Sequence, residues 1–100
     1  MAFDMSAGSK QEKIHYNDED FLIVITREDG FQNLEWLWDN FYSSPNISSQ
    51  RSMAIVSELN KAKASKMVKG RKDFIQFIER IIPFFQNAHD LNTTINCVSD

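Results

Sequence analysis

One hundred residues, 42% hydrophobic and 25% charged, suffice for one hydrophobic core, exclude two, and weigh against wholesale disorder. Three Gly and two Pro weigh against a turn-rich all-β chain, and the one cysteine, Cys97, excludes an intrachain disulfide. The net charge of −3 hides two unlike stretches: residues 1–40 hold nine acids and three bases (−6), and residues 41–80 hold eight bases and three acids (+5).

In chain order, residues 1–17 are small and polar and read as a flexible N-terminal tail without the apolar core of a signal peptide. Residues 18–100 then make a single globular domain. The apolar, β-branched run Phe21-Leu22-Ile23-Val24-Ile25-Thr26 predicts a buried strand over 21–26. It is far too short to cross a bilayer, so a cytoplasmic chain without membrane contact is expected. A first helix is predicted over 30–42, where Phe31, Leu34, Leu37, Trp38, Phe41 and Tyr42 share one arc. Pro45 follows its end.

A second helix is predicted over 48–69, with Ser48 or Ser49 as N-cap and Gly70 as its stop. A third covers 72–88, where Phe74, Phe77, Ile78, Ile81, Ile82 and Phe85 keep helical spacing and Pro83, on the polar side, bends the helix. Residues 91–98 alternate partially and offer a second strand that would pair with 21–26. The expected fold class is therefore α+β and mainly helical, with one or two short strands and three helices; the alternative is all-α.

Chemistry-bearing patterns are sparse. His15 and His89 lack zinc-ligand spacing, and the three glycines are isolated, so neither a metal site nor a phosphate loop is expected. Cys97 has no basic neighbour in sequence to activate its thiol. The sequons at Asn46 and Asn92 matter only in a secreted chain. His89-Asp90 reads as a base with its orienter, or as a histidine at a helix C-terminus. The expectation is no enzyme, no catalytic residue and no cofactor.

Binding is the remaining class. Trp36 projects away from the apolar arc of its helix, among Gln32, Asn33, Asp39 and Asn40, and exposed tryptophans are enriched in interfaces. With Asp18, Glu19, Asp20, Glu35 and Asp39 it forms the candidate partner-binding set. Such a surface suits a small acidic inhibitor of the toxin-immunity or phage type, which would occlude a basic toxin or nuclease after electrostatic steering. The alternative is a nucleic-acid-binding accessory protein. It would use Lys63, Lys66 and Lys69, repeated along one helix face, together with Arg71 and Lys72 in the basic stretch 61–72. The wide apolar arc of helix 72–88, or strand 21–26, would serve a homodimer.

Overall fold

The computed structural model describes residues 2–99. It is α+β, with four helices and a four-stranded antiparallel sheet among those residues, which overturns the expectation of one or two strands with three helices. Residues 2–15 are a hairpin rather than a tail: β1 (Ala2–Ala7) and β2 (Lys10–His15). They are joined by Gly8-Ser9, with Gly8 at φ 61°, the left-handed position that opens a two-residue type II′ turn. Phe3, Met5 and Ala7 alternate with Asp4 and Ser6, so one face of β1 is buried while Ile14 alone anchors β2. A single apolar anchor on the edge strand makes the alternation thin enough to pass for a tail.

The strand order is β2-β1-β4-β3. Strand β4 (Ile95–Ser99) returns beside β1, with Cys97 opposite Met5. The two-residue β3 (Asn46–Ile47) lies outside β4, with Ile47 opposite Ile95. The sequence expects 91–98 to pair with 21–26; the strand instead begins later and takes β1 as its neighbour.

Residues 21–26 are not a strand. After a single 3-10 turn at Tyr16–Asp18, helix α1 spans Glu19–Ile25. Two physical terms override the β-propensity of the run. Glu19 and Asp20 occupy the first helical turn, where the dipole favours negative charge. Phe21, Leu22 and Ile25 are fully buried, with the Phe21 ring 5.6 Å from Phe74 and 5.3 Å from Phe77. A short helix buried nearly all round needs an unbroken apolar run just as a buried strand does.

Helix α2 (Gln32–Asp39) stops before Phe41 and Tyr42, which fall in the following turn. Its first turn lacks a local cap. Glu58 of α3 (Ser49–Lys63) supplies one, accepting from the Asn33 and Leu34 backbone N–H groups at 3.0 and 2.9 Å and from Asn33 Nδ2 at 2.7 Å. Of the two candidate caps Ser48 takes the role, its hydroxyl accepting from Arg51 N–H at 3.1 Å, and Ser49 falls inside the helix. The helix ends at Lys63 rather than at residue 69; the chain then turns and buries Val68 before α4.

Helix α4 (Lys72–Asp90) is the longest element and runs unbroken through Pro83, which is exposed. Phe74, Phe77, Ile78, Ile81, Phe84, Phe85 and Ala88 are buried on it, while Ile75 and Ile82 pack against the core from its margins. The wide arc that suggests a dimer face is therefore filled by the fold's own interior, and with 21–25 helical the proposed strand edge for a homodimer is gone. No helix among the described residues is long and apolar enough to cross a membrane.

The inner sheet face, with Phe3, Met5, Ile14, Ile47, Ile95 and Cys97, is buried in this core. The opposite face is open and polar, carrying Ser6, Gln11, Asn96 and Lys13, whose Nζ lies 3.3 Å from Asp4 Oδ1. Arg80 of α4 closes the sheet edge. Its guanidinium pairs with Glu12, donates to the Lys13 carbonyl at 2.8 Å and reaches Asp18 Oδ2 at 2.7 Å.

Candidate functional site

The six residues of the acidic candidate set do not form one patch. Asp18 is turned into the molecule: besides its pair with Arg80, Oδ2 accepts from the His15 backbone N–H at 2.9 Å, which fixes the turn between β2 and α1. Glu19 is half-buried and accepts from the Tyr42 hydroxyl at 3.1 Å. Partial desolvation, and then that carboxylate, hold the Tyr42 hydroxyl above its ordinary pKa. Trp36 is half-buried, packed on the core and covered by Arg51, whose guanidinium carbon lies 4.0 Å from the ring centroid. Arg51 is itself oriented by Asn33 Oδ1 at 3.0 Å. Trp36 is thus held by α3 rather than standing free.

Asp20, Glu35 and Asp39 are exposed, and so are Glu28 and Asp29 in the turn between α1 and α2. None of these five enters an ion pair among the described residues. Glu35 and Asp39 lie four residues apart on one side of α2, with Gln32 beside them, while Trp36 borders that stripe toward α3. In the turn, the Gly30 carbonyl accepts from Lys61 Nζ at 3.2 Å with φ 91° at Gly30. Only glycine takes that conformation without strain.

The basic set is redistributed as well. Lys63 closes α3, Lys66 and Lys69 stand in the connection over 64–71, and Lys72 opens α4. The regular three-residue stripe therefore does not exist as a helix face, although all four lysines are exposed and unpaired among the described residues. Arg71 differs: it grips Asp73 at 3.1 and 2.9 Å and lies 3.9 Å from the Phe74 ring centroid. The Arg71 hydrogen bond holds the Asp73 carboxyl below its ordinary value.

Nothing in these arrangements makes a nucleophile. Cys97 sits on the inner face of β4, where burial pushes its thiol up to about 12. His89 Nδ1 lies 3.1 Å from the Ser49 carbonyl oxygen and ties α4 to α3, while Asp90 Oδ1 accepts from Gln86 Nε2 at 2.9 Å. Among the described residues no cluster of His, Cys and carboxylates has the arrangement of a metal site.

Sequence reasoning misses Tyr16 and Tyr42, which are 69% and 58% exposed, and misses the arginines that hold the acidic residues. Arg71 finds Asp73 two residues on, but the partners of Arg80 are distant in the chain, with 62 residues separating it from Asp18, so no local signal marks them. Compared with known protein families, curated proteins and solved structures, the chain matches none.

Proposed function

We propose that the chain is a small, non-catalytic binding protein that occludes a basic partner protein with the acidic surface of α1 and α2, in the manner of immunity-type inhibitors. The observation that carries this reading is the set of five exposed carboxylates, Asp20, Glu28, Asp29, Glu35 and Asp39, none of which forms an ion pair among the described residues. Carboxylates in this state repel one another and raise a negative potential, which a cationic surface relieves on docking. Short helices fixed to the core by Phe21, Leu22, Leu34 and Leu37 keep that surface in shape before the partner arrives, which lowers the entropy lost on binding. Trp36, stiffened under Arg51, supplies an aromatic contact at its border.

The test is affinity capture from the native host with the wild-type chain and with a D20K/E35K/D39K variant. A basic protein retained by the first and lost by the second is the expected result. Equal retention by both variants sinks the acidic-surface reading.

A second reading has its own observation, the four exposed and unpaired lysines Lys63, Lys66, Lys69 and Lys72 around the α3–α4 connection. They present cations to nucleic-acid phosphates, and such binding weakens steeply with salt. A mobility shift with single-stranded and duplex nucleic acid at low salt, abolished at moderate salt, supports an accessory role; no shift at low salt eliminates it.

A further inference from the structure

We propose that the cavity between α1 and the first turns of α4 takes an arginine side chain of the basic partner. This rests on the acidic-surface reading and names the place on that surface where the partner is gripped. The cavity, of about 390 Å³, is walled by Tyr16, Asp18, Asp20, Asp73, Phe74 and Phe77. With the buried Phe21 at its floor, four rings and three carboxylates share this concavity.

Two ring–carboxylate pairs already hold a guanidinium from the chain itself. Arg71 lies 3.9 Å from the Phe74 centroid, with Nη2 2.9 Å from Asp73. Arg80 lies 5.6 Å from the Phe77 centroid, with Nη2 2.7 Å from Asp18. In both, a planar cation meets a ring and a carboxylate, so cation–π attraction and a charge-assisted hydrogen bond act on one group.

No arginine of the described residues holds Tyr16 or Asp20 in this way. Tyr16 is 69% exposed, and Asp20 is exposed and without an ion pair among the described residues. Arg80 is already shared between Asp18 and Glu12, so the two arginines leave this rim net negative, and an incoming cation relieves part of that charge. Arginine fits this position better than lysine, because its flat, forked guanidinium covers a ring while donating to a carboxylate in the ring's neighbourhood.

The experiment titrates the isotope-labelled chain with a blocked Gly-Arg-Gly peptide and, in parallel, with the citrulline analogue, which keeps the shape and loses the charge. Amide shifts at Tyr16, Asn17, Asp20 and Phe74 with the arginine peptide only are the expected result. D20N and Y16A weaken that binding about threefold or more, the scale of one exposed charge or ring contact, whereas Y16F, which keeps the ring, binds as wild type does. Equal shifts with citrulline, or undiminished binding by D20N, overturn the cavity assignment. Shifts confined to Glu35 and Asp39 also overturn it while leaving the acidic-surface reading standing. Loss of capture discrimination in the charge-reversal test fails that reading and leaves the peptide result to be judged by itself.

Discussion

Burial decides what Cys97 does. A thiol moved from 9.0 to about 12 stays protonated at neutral pH and is a core side chain rather than a nucleophile. Its folded pKa lies above the unfolded value, so the folded state keeps a proton that the unfolded chain releases. That stabilisation is full below about pH 9 and is lost as pH rises toward 12. The native chain should therefore resist thiol-specific labelling at neutral pH and react once unfolded, and Cys97→Ala should flatten the alkaline fall in stability seen by denaturant melts. Glu58 is the other residue whose role comes from its surroundings. It accepts from the Asn33 N–H, 25 residues earlier in the chain, in the first turn of α2, and helix caps are worth about 1 kcal/mol. Glu58→Ala should lower the unfolding free energy by about 1–2 kcal/mol and speed amide exchange at Asn33 and Leu34, and an unchanged exchange rate would show that α2 holds its first turn without it.

At the scale of elements, Arg80 joins three pieces of structure. It reaches Glu12 and the Lys13 carbonyl on β2, and Asp18 at the turn into α1, while lying over Phe77 of its own helix. These contacts are partly buried, with the Arg80 and Asp18 side chains 34% and 17% exposed, so the pairs are less screened than ordinary surface bridges. Arg80→Met keeps the aliphatic packing and leaves two carboxylates without their counter-ion. It should cost about 2 kcal/mol by the scale of charge-assisted hydrogen bonds and raise hydrogen exchange across Lys10–His15 more than in α3. The same arginine guards the sheet edge: β2 carries Lys10, Glu12 and Lys13, and occupation of the Lys13 carbonyl removes one of its free acceptors, both of which discourage pairing with another chain. Element identity is where the sequence reading fails most clearly, at 2–15 and at 21–25. A hairpin with one apolar anchor on its outer strand looks like a polar tail, and a short helix whose apolar residues are all buried or half-buried looks like a buried strand.

Across the whole molecule the charge asymmetry survives folding, but in edited form. Pairing removes Asp4, Glu12, Lys13, Asp18, Asp73, Arg71 and Arg80 from the free charges, and among the described residues leaves carboxylates on α1, α2 and their turn, beside Arg27, with Glu79 and Asp90 on α4 and lysines at the α3–α4 connection. Association through either surface should weaken as salt is raised from low to moderate concentration, since exposed charges are screened within about 10 Å at 0.1 M. The two proposed surfaces should separate by partner chemistry: polycations are expected to compete for the first and nucleic acid for the second, as binding competition would show.

Part of this protein was settled by its sequence alone. The helical spacing from Phe74 to Phe85 marks α4, Ser48 marks the start of α3, and the segregation of acids from bases needs no coordinates, because periodicity, capping and charge are local properties. The tertiary structure decided the rest. It selected helix over strand for Phe21–Ile25 by packing that run on Phe74 and Phe77, and it drew Ala2–Ala7 into the middle of a sheet by supplying β4 from the far end of the chain. It also sorted one acidic run into three fates: Asp18 bound to Arg80, Glu19 bonded to Tyr42, and Asp20 beside a cavity without an ion pair among the described residues. Adjacent residues of like chemistry part in this way because an ion pair depends on which distant side chain the fold brings near, and sequence spacing carries no record of that.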